Sequence, residues 1–244
     1  MTVSIDEAKI LRGKDIKLND VITLHQPTVS DIVEFGERDF FANMYSFCAI
    51  PSDMKSALDD AGLDFMELSD WRLFLMLTRD MHYEATSLII PNVDFAKYEL
   101  MQVSDTEEIV LTDGVNIINE QMYNEFIPYI RAQIGYTLKR EKAANKFTKQ
   151  VLIDEDRAKR KASADKEYES TINTMILSCV NTEEFSYTYQ SVYDITFYQL
   201  LRSFVQIQKK KAACALYQGS MSGFVDTSKI NKSNFSWIYE KEHK

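Results

Sequence analysis

Apolar residues along the chain recur mostly at helical spacing, with a few stretches of strand-like alternation. Residues 29–49 predict one helix, because apolar side chains that recur every three or four positions share a face. Thr28 and Asp31 have the spacing of a capping box at its start, and Pro51 is expected to end it. We expect Gly36 to mark the close approach of another helix or an aromatic ring. The residues on the shared face are Val29, Val33, Gly36, Phe40, Met44 and Phe47.

Two further helices are predicted from caps and apolar content. Ser69 is positioned to cap a helix that is apolar almost all round over residues 71–77. Such a helix is expected inside a protein and not on its surface. Asn119 is positioned to cap a helix that runs to about Ile134, and Pro128 in its middle predicts a kink or a break.

The C-terminal part of the chain is also helical in its spacing. Apolar residues between 172 and 180 predict a short helix, and the longest helix is predicted from about Ser191 to Gln218. Gly219 is the expected end of that helix. Residues 138–170 mix basic and acidic side chains densely, which is typical of a solvated helical connector. A basic contact patch is the alternative interpretation of the same residues.

Strand-like alternation is confined to two short regions. Residues 16–24 alternate around Asn19-Asp20 and predict a short hairpin or two separate strand pieces. Residues 92–118 predict a small meander with a turn at Asp113-Gly114. The chain contains only 7 Gly and 4 Pro, which leaves few turns for a many-stranded fold. We therefore expect a mainly α protein with a small β-hairpin or meander element.

These elements divide the chain into three predicted regions. Residues 1–91 hold the N-terminal strand pair and helices, and residues 92–137 hold a small β-containing insert and a helix. Residues 138–244 hold a C-terminal helical region with the long helix and a docking tail.

Charge and cysteine content narrow the class of protein. The net charge of −9 argues against nucleic-acid binding, which requires a basic face that displaces counterions. No apolar stretch approaches the roughly 20 residues of a membrane span, and the charged N-terminus lacks the apolar core of a signal peptide. We therefore expect a cytoplasmic protein, or one that leaves the cytoplasm only in a larger assembly. Cys48, Cys179 and Cys214 lie in apolar sequence and are predicted to be buried thiols.

Residues with catalytic or metal-binding chemistry are scattered. His25, His82 and His243 have no partner at ligand spacing, and the sequence has no phosphate-binding loop or nucleophile elbow. The pairs at 107–108 and 183–184 are glutamates beside predicted helix starts or turns, where the backbone dipole favours carboxylates. We therefore predict no catalytic residue, cofactor or metal, and a function that depends on protein binding.

The segment after the long helix has the residue types of a docking surface. Its aromatic residues either fold back onto the helical core or present anchors to another subunit, and tryptophan is enriched at binding hot spots. The lysine run before it is either the solvated side of a helix or a surface for an acidic partner. The predicted partner contacts are Phe224, Phe235, Trp237, Lys209, Lys210 and Lys211.

Two stretches of the sequence resemble phage-encoded proteins of Gram-positive hosts. The first is DVITLHQPTVSDIVEFGERDFFANMYSFCAIPSDMK, in which a strand ends in Q-P-T before a helix that contains E-x-G-E. The second is DITFYQLLRSFVQIQKKKAACALYQGSMSGFVDTSKINKSNFSWI, which ends in a Lys/Ile/Asn tail with a late Trp. Together they cover about a third of the chain, and they are similar to tail assembly chaperones, which coat the tape-measure protein before the tail tube polymerises.

The resemblance implies a phage morphogenesis protein in the cytoplasm of a bacterial host. Its partner would be the tape-measure protein or another tail protein, captured as a helix in an apolar, Met-rich groove, and the protein could also form a homo-oligomer. A structural component of the virion, in the neck, tail or baseplate, is the first alternative. An enzyme with a metal or nucleotide site built from dispersed carboxylates is the second, and a DNA-binding regulator with two lysine-rich segments is the third.

Overall fold

The computed structural model describes residues 5–79, 81, 83–104, 108–164, 166–223, 226, 228 and 230–238. Helices make up most of these residues, and the strands form one two-stranded and one three-stranded antiparallel sheet. The fold is therefore mainly α with a minor β part, which confirms the predicted class. None of the helices in the described residues is long and apolar enough to cross a bilayer.

The elements follow one another in a simple order. The helices are α1 (Glu7–Leu11), α2 (Val29–Phe35), α3 (Glu37–Cys48), α4 (Lys55–Asp60), α5 (Asp70–Thr78), α6 (Tyr83–Ser87), α7 (Glu120–Gln133), α8 (Lys146–Ala164), α9 (Thr171–Val180) and α10 (Phe197–Met221). The strands are β1 (Ile16–Lys17), β2 (Thr23–Leu24), β3 (Glu99–Gln102), β4 (Ile109–Thr112) and β5 (Ile117–Ile118). Short 3₁₀ turns occur at Pro51–Asp53, Phe95–Lys97, Ser191–Asp194 and Lys232–Phe235.

Both predicted β regions are present. In the first, β1 and β2 pair antiparallel with Ile16 opposite Leu24, and the Asn19 side chain accepts hydrogen bonds from the backbone N–H groups of Val21 and Ile22. In the second, the strands lie in the order β3-β4-β5, and Trp71 of α5 donates its indole N–H to the Ile109 carbonyl at 3.0 Å. This bond fixes the three-stranded sheet against the helical core.

The helix predicted over residues 29–49 is two helices that meet at Gly36. Thr28 and Asp31 form the predicted capping box at the start of α2. Gly36 has φ of 105°, a conformation that side chains other than glycine rarely adopt. A Cβ added there would meet only the Asp39 carboxylate, at 3.8 Å. The expected close approach at Gly36 is therefore wrong, and glycine is needed for the bend of the backbone.

Of the kink or break predicted at Pro128, the break does not occur. Helix α7 runs from Glu120 to Gln133 through Pro128. An internal proline costs a helix about 3 kcal/mol, but Phe126, Ile127 and Ile130 on either side of it are buried in the core. Burial of such side chains contributes about 1.5–3 kcal/mol each, which is enough to hold the helix together.

The long helix α10 is displaced along the sequence from its predicted position. It begins at Phe197, because Thr196 and Gln199 form a capping box, and residues 191–194 before it form a 3₁₀ turn. The prediction that Gly219 ends the helix is wrong. The helix continues to Met221, and Gly223 follows with φ of 73°.

Helix α8 packs along α4, although its sequence is that of a solvated connector. Ile153 of α8 is buried in an apolar cluster with Leu58, Phe65 and Leu73, which we call the second cluster. Ion pairs also join the two helices, since Arg157 lies 3.0 Å from Asp59 and 2.7 Å from Asp60. Arg160 also pairs with Asp60, at 2.9 Å.

The main core is centred on aromatic rings of α3, α5 and α7. Phe74 stacks on Trp71 with ring centroids 5.6 Å apart and contacts Tyr123 at 4.9 Å and Phe126 at 5.8 Å. Helix α5 is buried as predicted at Trp71 and residues 73–75, but Met76 is exposed. The expectation that this helix is enclosed on every side is therefore correct only in part.

A buried arginine joins the core helices. The Nε and Nη2 groups of Arg131 donate to the Cys48 carbonyl at 3.0 and 2.9 Å, which satisfies the C-terminal end of α3. Nη2 also donates to the Tyr123 hydroxyl at 3.3 Å and lies 3.8 Å from the Asp70 carboxylate. The Arg131 side chain is only 8% exposed. Because little water reaches the guanidinium, these neighbours stabilise its charge in place of solvent.

The cysteines are not all buried. Cys48 and Cys179 are buried, and loss of solvation raises the pKa of the Cys48 thiol to about 12. Cys214 is exposed on α10, so the prediction of a buried thiol is wrong there. The neighbouring Ala213 is the buried residue at this point of the helix, and consecutive helix positions face different directions.

Candidate functional site

A groove runs beside α10 at the C-terminal end of the molecule. We call it the α10 groove, and its volume is about 410 Å³. It is bounded by Leu11 at the end of α1, Phe185 in the segment after α9, and Trp237 in the tail. Arg202 and Lys210 of α10 also line it. Four separate segments of the chain therefore meet at this surface.

The start of α10 fixes the first wall of the groove. The Gln199 side chain closes the capping box and also donates to the Leu11 carbonyl at 2.9 Å, which ties the end of α1 to α10. Phe197 donates its backbone N–H to the Pro27 carbonyl at 3.0 Å, and Thr28 and Thr196 form an antiparallel bridge. These bonds anchor α10 to the N-terminal region.

An ion pair fixes the second wall. The Lys210 ammonium lies 3.3 Å from the Glu184 carboxylate in the segment after α9. The pKa of Glu184 is lowered, first by its own backbone N–H and then by Lys210. Phe185 packs on Tyr187 with ring centroids 5.3 Å apart, which gives this wall an aromatic surface.

The tail forms the third wall because it folds back onto α10. Phe235 contacts Tyr217 edge-on with ring centroids 5.3 Å apart. Gln206 donates its side-chain N–H to the Trp237 backbone carbonyl at 2.5 Å, and the Lys210 ammonium lies 5.4 Å from the centre of the Trp237 ring. The backbone of the tail therefore folds back onto α10, which was one of the two interpretations of this segment. The Trp237 side chain nevertheless remains 42% exposed.

The predicted contact residues are distributed unevenly around this groove. Trp237 and Lys210 line it, and Phe235 supports its wall from behind. Lys209 and Lys211 are exposed on α10, and consecutive helix residues are about 100° apart, so the three lysines point in different directions around the helix. Phe224 lies outside the described residues.

Several groove residues were not predicted from the sequence. Leu11, Phe185, Arg202 and Gln206 come from three separate segments. The four-residue step from Arg202 to Gln206 to Lys210 places these three on one face of α10, but no spacing connects them with Leu11 or Phe185. The T-x-x-Q capping box at Thr196 is a local signal that could have located the start of α10.

The surface around the groove exposes apolar side chains. Met221 is 86% exposed at the end of α10, and Ile238 is 65% exposed beside Trp237. Leu11, Val205 and Tyr217 are each exposed by between 44% and 52%. Exposed apolar side chains beside a groove that also carries charged groups are typical of a protein-binding site.

Within the residues that the structure describes, no group of three or more His, Cys, Asp or Glu side chains is arranged to hold a metal ion. His25 pairs with Asp15, with Nδ1 2.7 Å from the carboxylate oxygen. His82, His243 and Glu107 lie outside the described residues.

Comparison with known proteins gives one match. A family model described as YomV second domain matches residues 161–240, about a third of the chain. No curated protein and no solved structure matches the chain. The matched residues include α9, α10 and the described part of the tail, so three of the four segments that bound the α10 groove lie within the part of the chain that is similar to the YomV second domain.

Proposed function

We propose that this protein is a non-enzymatic phage morphogenesis protein that binds a helix of another protein in the α10 groove. The observation that carries the proposal is the groove itself, with exposed Trp237 and exposed apolar residues around it. An amphipathic helix binds by laying its apolar face into such a groove. The partner we propose is the tape-measure protein or another tail protein, which makes this protein a tail assembly chaperone in the host cytoplasm.

The side chains around the groove suit such a partner. Trp237 and Leu11 both line the groove and are 42% and 52% exposed, so they offer apolar contacts to a bound helix. Arg202 and Lys210 would meet acidic residues at the edge of a bound helix, and Glu184 would meet basic ones. The match of residues 161–240 to a family with a phage-associated name is further support.

The test is co-expression with the proteins encoded beside this chain, followed by pull-down and a binding measurement on the partner that is recovered. Trp237→Ala should weaken binding by about 30-fold or more, the size of a hot-spot loss of about 2 kcal/mol. Phe147→Ala is the matched control, because Phe147 is an aromatic residue of α8 that is 79% exposed. Equal binding by both variants would contradict the proposal.

Mass spectrometry of purified virions separates the chaperone from its first alternative. A tail assembly chaperone should be absent from finished particles, because the growing tail displaces it. Stoichiometric presence in the particle would favour a structural component of the neck, tail or baseplate.

A further inference from the structure

Strand β3 forms one edge of the three-stranded sheet. It pairs with β4 on one side, and its register places Leu100 opposite Leu111 and Met101 opposite Val110. All four residues of β3 are exposed, and the apolar side chains of Leu100 and Met101 are 51% and 41% exposed. The other side of the strand therefore faces solvent in the single chain.

The ladder determines which backbone groups point outward. Val103 donates its N–H to the Glu108 carbonyl at 2.9 Å, so these two residues form a hydrogen-bonded pair in the same register. Such pairs alternate in an antiparallel ladder. Glu99 and Met101 therefore bond to β4, and Leu100 and Gln102 direct their N–H and C=O groups away from the sheet. Among the described residues, neither of those two backbones makes a hydrogen bond on that side.

The sequence of β3 protects this edge only weakly. Natural edge strands are kept from pairing by lysine or other charges, by proline, by a bulge or by short length. Glu99-Leu100-Met101-Gln102 has no lysine, proline or bulge, and its protection is limited to its length of four residues and to one charge at its end. The chemistry of the edge is therefore suited to a further extended strand.

We propose that the edge pairs with β3 of a second copy of this chain, antiparallel, across a two-fold axis at Met101. Leu100 of each copy then forms a hydrogen-bonded pair with Gln102 of the other. Met101 lies opposite Met101 of the second copy at the axis, in a pair without hydrogen bonds, where side chains are closest. Glu99 lies opposite Val103, which keeps the two carboxylates apart.

This register pairs the outward-facing backbone N–H and C=O groups of β3 better than the registers on either side of it do. A shift by one residue would place groups already bonded to β4 at the interface. A shift that centres on Leu100 would require the Tyr98 N–H, which already donates to the Phe95 carbonyl at 3.1 Å. A shift that centres on Gln102 would pair Leu100 with Ser104, which lies in the turn beyond the end of β3. Self-pairing at Met101 is therefore the most compatible arrangement.

The association should be weak and sensitive to salt. Two four-residue strands bury less surface than the roughly 1,200 Å² of a stable interface. Each chain also carries a net charge of −9, so the copies repel one another at low ionic strength. Added salt screens that repulsion and should strengthen the dimer.

Register-specific cross-linking tests the pairing. Met101→Cys should form a disulfide-linked dimer under mild oxidation, because opposed residues at the axis have Cα atoms about 4.5 Å apart, within disulfide range. Glu99→Cys is the control, since its two copies would lie about 13 Å apart along the strands. Both variants are made in a Cys214→Ser background, which removes the exposed native thiol. Cross-linking at 101 should be at least about tenfold faster than at 99, and equal rates would overturn the proposal.

Sedimentation of the native chain supplies the second measurement. The average mass should rise with concentration and with salt, and Met101→Lys should abolish the rise by placing two ammonium groups face to face. Val115→Lys adds the same charge at a turn residue that is 89% exposed, and should leave the rise unchanged. A native chain that stays monomeric up to about 1 mM, where even a millimolar dissociation constant gives substantial association, would refute the self-pairing.

Discussion

Among single residues, Arg131 joins more of the core than any sequence pattern indicated. Its guanidinium bonds the last turn of α3, the Tyr123 hydroxyl of α7 and, at longer range, Asp70 at the start of α5. Arg140 reaches the same Asp70 carboxylate with two hydrogen bonds at 3.0 and 2.6 Å, but its side chain is 58% exposed. The two arginines therefore allow a buried and an exposed partner of Asp70 to be compared.

We expect Arg131→Met to lower the free energy of unfolding by about 3 kcal/mol, because it leaves the Cys48 carbonyl unpaired and removes a buried charge partner. Arg140→Met should cost about 1 kcal/mol or less, as exposed pairs do. Urea denaturation of both variants measures the difference, and equal losses would show that burial of Arg131 does not matter.

Asp113 is a residue whose charge supports the turn between β4 and β5. The backbone N–H groups of Asn116 and Val115 lower the pKa of its carboxyl group to about 2. Because the folded pKa lies below the unfolded value of 3.8, this stabilisation is present above about pH 4 and is lost as the pH falls through 2.

An NMR titration of the Asp113 carboxyl carbon should therefore give a midpoint near 2. Asp113→Asn keeps an acceptor for the turn but cannot titrate, so its stability should fall less than that of the native chain between pH 4 and pH 2. If the stability of the two proteins fell equally between pH 4 and pH 2, the lowered pKa of Asp113 would be contradicted.

At the scale of whole elements, α8 is held to α4 by one fully buried apolar side chain and by ion pairs. Only Ile153 of α8 is fully buried, whereas Arg157 and Arg160 bind Asp59 and Asp60. These side chains are partly exposed, so each pair is weak alone and is screened by salt. Helix α8 should therefore detach more easily than the helices of the main core.

The double variant Arg157→Gln, Arg160→Gln should increase amide hydrogen exchange in residues 146–164 by about tenfold, with little change in α7. About 1 M salt should have the same effect on the native chain. Lys159→Gln is the matched control, because it changes the charge at another exposed residue of the same helix. Uniform exchange changes throughout the molecule would indicate global destabilisation.

In the molecule as a whole, one main core draws on all three regions predicted from the sequence. Phe40, Phe126 and Ile176, which belong to different regions, are all buried in it. The described tail residues 230–238 contribute no side chain to either apolar cluster. The tail thus completes the α10 groove without supporting the core.

A chain that ends after Gly223 should therefore keep its helical circular dichroism and lose only a few degrees of thermal stability. It should bind the partner at least about 30-fold more weakly, because Trp237 is gone. Unfolding of the shortened chain, or unchanged partner binding, would contradict this division of roles.

Sequence patterns predicted the parts of this fold that depend on residues close together in the sequence. The caps at Thr28, Ser69 and Asn119 and both β regions are present because each depends on side chains within a few positions. The break allowed for at Pro128 and the helix end predicted at Gly219 do not occur, because packing elsewhere in the chain can override a local helix breaker. The α10 groove assembles four separate segments, so its lining could not be derived from spacing.

The partnership of α4 and α8 also sets an order of events during synthesis. Asp60 and Ile153 are 93 residues apart, so a ribosome that adds 5–20 residues per second needs about 5–20 s to pass from one to the other. From their own synthesis until Ile153 is added, Leu58, Phe65 and Leu73 lack the side chain that covers them in the finished protein. The nascent chain therefore exposes an apolar surface for a limited time. Slow translation through this stretch would prolong that time, during which the chain can aggregate or bind host folding factors.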